Sequence, residues 1–179
     1  MTAQRYVITG GPSAGKEAVF AEMAERELPI TNGEPAREIY RAHRERLGRH
    51  LEVNDRRAYS REVLEAFIAE YQGHTDCLHF YNRGIPDGDG WDRAFGLEPY
   101  PQLREATEKF RYDGVFILDP LDDFNSEDDL VWAKEREIVR VHQLIIQGYY
   151  DAGYSPIFVP ANDASARVDF ILANVPAAQ

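Results

Sequence analysis

The sequence predicts an α/β fold in which a five-stranded parallel sheet carries helices on both faces. Short apolar runs, such as residues 114–118, alternate with longer segments of helical spacing along the 179 residues. This alternation is typical of a parallel sheet that is covered on both sides. A chain of this length fits one domain with a sizeable core. We therefore predict a single three-layer domain over residues 1–179.

The predicted elements are joined by short connections. Strands are expected at residues 6–9, 28–31, 78–81, 114–118 and 156–159. Helices are expected at residues 16–28, 34–47, 60–73, 101–110, 131–150 and 165–172. Ser60 is expected to cap the third helix, and Gly73 to end it. Residues 82–87 are expected to form a loop, and residues 119–133 a lid.

A glycine-rich segment links the first predicted strand to the first predicted helix. Its spacing, Gly-x-x-x-x-Gly-Lys, is the signature of a phosphate-binding loop, or P-loop, and predicts the sandwich fold of the P-loop NTPases. Glycines let successive backbone N–H groups face one point, and the helix N-terminus adds its dipole. The predicted phosphate- or nucleotide-binding residues are Gly11, Pro12, Ser13, Ala14, Gly15, Lys16 and Glu17.

Glu17 departs from this signature, because the position after the lysine normally carries a Ser or Thr hydroxyl that binds Mg²⁺. A carboxylate there adds a negative charge beside the phosphates. At about 4 Å and an effective dielectric near 20, each like-charge pair costs about 4 kcal/mol without a metal. The loop therefore predicts phosphate binding more strongly than Mg²⁺-dependent phosphoryl transfer.

Composition excludes several classes of partner. The net charge of −11 disfavours nucleic acid and anionic membranes. Cys77 is the single cysteine, so an intramolecular disulfide is excluded and a reducing, cytoplasmic location is expected. The sequence has neither a recognisable signal peptide nor an apolar run that could span a bilayer. A small-molecule substrate is expected, while the oligomeric state stays open.

The chain resembles the small AAA-type P-loop ATPase/kinase family, a group of bacterial small-molecule kinases. The resemblance covers nearly the whole sequence and depends on several motifs together. The matching positions are residues 7–12, Glu34, Arg37, residues 82–87, Gly153, Tyr154, Val159 and Pro160. The resemblance implies binding of ATP or another nucleotide.

Three departures from the family pattern affect one function. Glu17 replaces Ser or Thr, Asn82 replaces a metal-binding Asp, and Trp132 replaces a phosphate-clamping Arg in the segment 129–132. Phosphoryl transfer depends on the metal, the loop lysine and an arginine clamp. The metal ligands are therefore left unassigned, with Glu17 and Asn82 as degenerate positions, and Mg²⁺ dependence is expected to be weakened.

Alternatives to this loss of function stay open. Glu17 could bind Mg²⁺ itself, or it could pair with Lys16 or Arg83. Arg136 or Arg140 could supply the clamp in place of the missing arginine. Each of these arrangements would be compatible with an active kinase.

The candidate catalytic residues are Lys16, Arg83, Glu34 and Arg37. Glu34 and Arg37 lie three positions apart on one helical face, so they either face the acceptor substrate, as the resemblance implies, or form a surface ion pair. Arg83 follows a predicted strand at its carboxyl end, where open α/β sheets bind ligands. Asp87 is expected to cap the next element.

Two further groups of residues carry side chains that can bind metals or ligands. His74, Asp76, Cys77 and His79 are close in sequence, but a core or surface role is expected for them rather than zinc binding. Aromatic residues are candidates for the wall of an acceptor pocket, although most are expected in the core. These residues are Trp91, Phe95, Tyr100 and Trp132.

Three functions follow from these observations. The first is a P-loop protein of small-molecule-kinase ancestry that binds a phosphate-bearing ligand and acts on a small molecule, with Mg²⁺-dependent transfer weakened, lost or repurposed. The second is an active kinase that uses ATP and Mg²⁺. The third is a noncatalytic module that senses a nucleotide or binds a partner.

Overall fold

The computed structural model describes residues 3–75, 77–121 and 135–176. The α/β fold is confirmed, and its described part contains a parallel four-stranded sheet in the order β2-β1-β3-β4. The strands are β1 Gln4–Thr9, β2 Leu78–Asn82, β3 Gly114–Leu118 and β4 Ile157–Val159. Most of the segment that was predicted to form a lid, together with Trp132, lies outside the described residues.

The predicted fifth strand is reduced to one bridge, which corrects the strand count. Ile30 pairs in parallel with Phe80 at the outer edge of β2. The Thr31 N–H donates to the Phe80 carbonyl over 2.9 Å, and the Phe80 N–H donates to the Pro29 carbonyl over 2.8 Å. Pro29 has no N–H to donate, so this segment cannot extend the ladder as a full strand would.

Seven helices are described: α1 Lys16–Glu25, α2 Pro35–Leu47, α3 Val53–Gly73, α4 Asp87–Ala94, α5 Pro101–Lys109, α6 Glu135–Asp151 and α7 Ala164–Ala173. The start predicted for α3 is wrong, because Ser60 lies inside the helix. Glu52 and Asp55 cap α3 instead, each side chain accepting from the backbone N–H of the other. Among the described helices, none combines the length and the apolar character that a membrane span requires.

Helices cover both faces of the sheet, as predicted. Val115 belongs to one buried cluster and contributes to the same core as Ile145 of α6. The next residue, Phe116, points to the opposite face and shares a second cluster with Ile171 of α7. This alternation is the expected geometry of a strand that is buried on both sides.

Close packing between α4 and α6 depends on a glycine. A Cβ atom at Gly90 would lie 2.7 Å from the Ile145 Cα and 2.8 Å from the Leu144 carbonyl oxygen. These neighbours are helix backbone and cannot move aside cheaply. The contact fixes α4, which begins directly after the loop that follows β2, against the sheet-covering helix α6.

Candidate active site

The P-loop has the predicted strand–loop–helix geometry. β1 ends at Thr9 and α1 begins at Lys16. Gly15 is the residue that precedes α1, and its φ of 74° lies in the left-handed region that favours glycine. The loop therefore reaches a helix N-terminus at the carboxyl edge of the sheet, where parallel α/β sheets bind ligands.

One backbone donor of the loop already has a partner. The Gly11 N–H donates to the Nδ1 atom of His142, on α6, over 3.0 Å. Burial lowers the pKa of His142, and Lys16 lowers it further, while Asp119 opposes them. A neutral imidazole with Nδ1 as acceptor fits this bond. No sequence pattern indicated this contact.

Lys16 is buried beside other charged side chains. Only 7% of the residue is exposed. Burial lowers the pKa of Lys16 to about 8, and Arg83 lowers it further, while Glu34 and Asp87 raise it. The ammonium group is thus predominantly protonated at neutral pH in a site that is largely shielded from water.

Five side chains form a continuous chain of alternating charge beside Lys16, which we call the charge chain: Glu17, Arg37, Glu34, Arg83 and Asp87. Arg37 pairs with Glu17 and lies 3.4 Å from Glu34 through its Nε atom. The Arg83 Nε donates to Glu34 Oε1 over 2.7 Å, and Arg83 Nη1 lies 3.4 Å from Asp87 Oδ1. The structure therefore brings the four candidate catalytic residues into one cluster.

Glu34 is not part of a surface ion pair, since its side chain is 10% exposed and that of Arg37 is 14% exposed. Burial opposes ionisation of Glu34, but the positive charges of Arg83 and Lys16 lower its pKa to about 2. Glu34 is consequently a carboxylate at neutral pH and an acceptor of hydrogen bonds.

Arg83 has unusual backbone geometry, with φ at 71°. This left-handed conformation is strained for a residue with a Cβ atom, and such strain is concentrated at functional sites. Glu34 and Asp87 keep the guanidinium charged: burial favours the neutral form, but their charges raise the Arg83 pKa above its ordinary value.

Glu17 pairs with Arg37 and with neither Lys16 nor Arg83, the two partners that the sequence suggested. Its side chain is 74% exposed, whereas Lys16 is buried. The carboxylate is thus compensated by an arginine from α2, and the repulsion that the sequence predicted is reduced.

Asp87 does not cap α4, which corrects the prediction. Its carboxylate accepts from the Gly84 N–H over 2.9 Å, on the preceding loop. It also accepts from Thr9 Oγ1 and from the Tyr149 hydroxyl, each over 2.5 Å. With Arg83 as a further partner, this 1% exposed carboxylate is satisfied by the protein and positions Arg83.

A cavity opens beside the charge chain and has a volume of about 480 Å³, including its open mouth. Arg83 and Asp87 contribute to its lining, together with the aromatic residues Tyr59, Trp91 and Phe95. Trp91 lies 5.4 Å from the Arg83 guanidinium, measured to the ring centroid. Trp91 and Phe95 therefore line a pocket as expected, next to the residues that follow β2.

Oxygen ligands for Mg²⁺ are available at the sheet edge, although Glu17 and Asp87 are engaged elsewhere. Asn82 donates its amide to the Gly33 carbonyl over 2.9 Å, while its buried Oδ1 has no partner among the described residues. Asp119 directly follows β3, the neighbour of β1. An apolar strand that ends in Asp is the Walker-B pattern. Asp119 and Asn82 each supply an oxygen donor of the type that Mg²⁺ prefers.

Arg167 forms hydrogen bonds with the P-loop and with the segments that follow β3 and β4. Its guanidinium donates to the carbonyls of Pro160 over 3.0 Å, Ala14 over 2.6 Å and Asp119 over 2.7 Å. The residue is 1% exposed. Burial lowers its pKa, and the charge of Asp119 opposes this. Arg167 is a structural support for the P-loop that no sequence pattern indicated.

The fold is shared with several solved kinase structures. Deoxyadenosine kinase from M. mycoides, with products dCMP and a flexible dCDP bound, has a TM-score of 0.63 at 12% identity, covering 95% of this chain and 97% of that chain. Thymidylate kinase from Candida albicans has a TM-score of 0.62 at 12% identity, covering 96% and 90%. At these identities the likeness shows the fold alone.

A third similar structure is that of the NadR protein in complex with NR. Its TM-score is 0.63 at 12% identity, covering 99% of this chain and 54% of that chain. Curated proteins gave no match by sequence. The sequence pattern of the AAA domain, by contrast, matches residues 5–167, which is most of the chain. The chain therefore belongs to the AAA domain family, and it shares its fold with the solved kinase structures.

Proposed function

We propose that this protein is a small-molecule kinase, which transfers a phosphoryl group from a nucleoside triphosphate to a hydroxyl group of an acceptor in the aromatic cavity. The observation that carries the proposal is the meeting of Lys16, Glu34 and Arg83 between the P-loop and that cavity. Phosphoryl transfer depends mainly on positioning and charge stabilisation, which these groups can supply.

Each of these residues has a role in the proposed reaction. Lys16 and the loop amides bind the outer phosphates of the donor. Arg83 faces the acceptor and stabilises negative charge on the transferring group. Glu34 accepts a hydrogen bond from the acceptor hydroxyl and orients its oxygen. With a pKa of about 2, Glu34 is a weak base, so its contribution is orientation more than early proton removal.

Mg²⁺ would be held by Asp119 and the side-chain Oδ1 of Asn82 together with the donor phosphates. It would neutralise phosphate charge when bound. The ion pair of Glu17 with Arg37 supports this assignment, because residue 17 is then not required as a metal ligand. Arg37 could exchange Glu17 for a phosphate oxygen when the donor binds.

A second candidate function is a protein that binds a nucleotide without transferring phosphate. The hydrogen bond from the Gly11 N–H to His142 favours this function. His142 must release this N–H before it can donate to a phosphate. Such a protein would bind a nucleotide with little or no turnover.

Calorimetry with ATP and GTP, with and without Mg²⁺, tests the proposal when it is combined with an assay of acceptor-dependent ADP or GDP formation. Nucleosides are a reasonable first set of acceptors, since the solved structures of similar fold include a deoxyadenosine kinase. We expect Mg²⁺-dependent binding and acceptor-dependent turnover. Lys16→Met should abolish both, whereas the exposed control Lys109→Met should retain both.

Three outcomes separate the candidates. Binding and turnover that both need Lys16 support the kinase. Binding without turnover on any acceptor favours the second function. Absence of nucleotide binding would overturn both.

The pair Glu17→Thr and Asn82→Asp tests the metal site. The double variant restores a hydroxyl and a carboxylate where the P-loop pattern has them, so Mg²⁺-ATP binding should tighten by about tenfold or more, equivalent to about 1.4 kcal/mol. Unchanged or weaker affinity would mean that the metal lies elsewhere.

A further inference from the structure

A cluster of metal-ligand side chains lies at the opposite edge of the sheet from the P-loop. Glu70 and His74 stand at the carboxyl end of α3, and His79 is near the start of β2. One potential ligand atom from each residue lies within 4.8 Å of the other two. His79 lies near the start of β2, whereas Arg83 of the charge chain follows its end, so the cluster is separate from the candidate active site.

Two atoms of this cluster are buried without a hydrogen-bond partner. His79 is 3% exposed, and its Nε2 accepts or donates no hydrogen bond among the described residues. The same holds for Oε2 of Glu70. His79 Nε2 lies 3.8 Å from Glu70 Oε1, which is too far for a hydrogen bond. Buried polar atoms are normally paired, so two unpaired atoms within one small cluster indicate an unrecognised partner.

The local fold holds the three side chains near one point. Glu70 and His74 are four residues apart, which places them one helical turn from each other. Arg5 donates to the His74 carbonyl over 2.9 Å, and its guanidinium also lies over the Tyr71 ring. The His74 and His79 rings stack at 3.6 Å with an angle of 14° between their planes.

We propose that Glu70, His74 and His79 form a binding site for Zn²⁺. Two imidazoles and one carboxylate are a known type of zinc donor set, with water at the fourth tetrahedral position. Nitrogen donors favour Zn²⁺ over Mg²⁺ and Ca²⁺, which prefer oxygen. The proposal is independent of the kinase function.

Binding requires a modest local adjustment. Bonds of about 2.0–2.1 Å in a tetrahedron place ligand atoms about 3.3 Å apart, so the cluster must contract. The parallel imidazole rings must also tilt to direct their lone pairs at one ion. His74 can supply this movement, because it follows the end of α3 and is only partly buried, while His79 is fixed in the sheet. A bound ion would join the end of α3 to β2.

The test uses the full chain after treatment with a chelator. Zn²⁺ is titrated against a competing colorimetric indicator, and Co²⁺ binding is followed by its visible absorption. We expect one ion per chain. His74→Ala and Glu70→Gln should each weaken Zn²⁺ binding at least about tenfold, because each removes a ligand. Zn²⁺ should raise the melting temperature of the wild-type protein and have less effect on either variant.

Two matched controls remove other metal-binding side chains. His50→Ala deletes a histidine from another part of the chain, and Cys77→Ser deletes the exposed thiol near the cluster. Both should leave the affinity unchanged. The proposal is overturned if no ion binds, if His74→Ala and Glu70→Gln bind as the wild type does, or if the cysteine variant alone loses binding. Melting temperatures measured without metal identify any variant that is misfolded. If one of the two ligand variants is misfolded, Zn²⁺ binding by the other decides whether the proposal holds.

Discussion

Replacing Glu34 by glutamine should destabilise the ligand-free protein by about 3 kcal/mol at pH 7. The carboxylate is stabilised by Arg83 and Lys16, which lower its pKa from the ordinary value of 4.5 to about 2. Each unit of difference in pKa corresponds to 1.36 kcal/mol, so this lowering of the pKa amounts to about 3 kcal/mol of stability. The figure agrees with the ~3–5 kcal/mol that follows removal of one partner from a buried ion pair.

The effect of Glu34→Gln should depend on pH in a defined direction. A carboxyl group with a lowered pKa in the folded state contributes its full stabilisation above its unfolded pKa, here 4.5. That contribution is lost as the pH falls toward about 2, where the folded protein also takes up the proton. The gap between the wild type and Glu34→Gln should therefore be constant from pH 7 to pH 5 and should narrow below pH 4.5.

Urea unfolding, followed by circular dichroism, measures this gap. With a slope of about 2 kcal/mol per molar urea, a loss of 3 kcal/mol lowers the midpoint by about 1.5 M. Glu45→Gln is a matched control on the exposed side of α2 and should change stability by less than about 0.5 kcal/mol. A loss below about 1 kcal/mol for Glu34→Gln, or a gap that widens in acid, would refute this account of the charge chain.

Three other substitutions have distinct expected outcomes. Lys16→Met should stabilise the ligand-free protein by up to about 3 kcal/mol at pH 7, because burial lowers the lysine pKa from 10.5 to about 8. In urea unfolding, the stability of the wild type should rise to that of the variant between pH 8 and pH 10.5. A variant that is less stable than the wild type at pH 7 would contradict the reasoning. Arg167→Met should lower the free energy of unfolding by about 3 kcal/mol or more, since buried carbonyls lose their donor; a wild-type urea midpoint would exclude this role. Gly90→Ala should lower the free energy of unfolding by about 1–3 kcal/mol, because the added Cβ would collide with the Ile145 backbone. The control is Gly73→Ala, where an added Cβ meets nothing within 4 Å. Equal melting temperatures of the two variants would refute the prediction.

Local pattern was sufficient to predict the strand–loop–helix geometry of the P-loop. The loop is contiguous in sequence, and its glycines, lysine and flanking apolar strand indicate its geometry directly. Glu34 and Arg83 became candidates through short motifs of a family resemblance, and Arg83 also through its position after a predicted strand. The sequence could not show that the Arg37 side chain would turn to Glu17, because that contact joins two different helices.

The contacts that were not predicted join residues that are far apart in the chain. Asp87 accepts from Thr9 across 78 positions, His142 contacts Gly11 across 131, and Arg167 contacts Ala14 across 153. Helical and strand periodicity report which face of an element is buried, but not which polar groups meet across the sheet. These contacts become visible only once the packing of the helices is known.

Two errors in secondary structure had local signals. Pro29 in the candidate fifth strand favours an edge position, and it limits the pairing there to one bridge. The predicted start of α3 is too late, because Ser60 matches the usual capping pattern but lies inside the helix. The observed capping pair, Glu52 and Asp55, lacks the Ser or Thr of the usual pattern.

The internal pairing of the site has a consequence for how quickly a polyanion can reach it. Three cations balance three carboxylates in the group Lys16, Arg37, Arg83, Glu17, Glu34 and Asp87, so the site has little attraction at long range. The whole chain carries −11 and repels an approaching triphosphate. Added salt screens that repulsion and should accelerate association, the reverse of what a basic phosphate-binding cleft would show. Recognition would then begin at short range, when a phosphate oxygen replaces a carboxylate as the partner of an arginine.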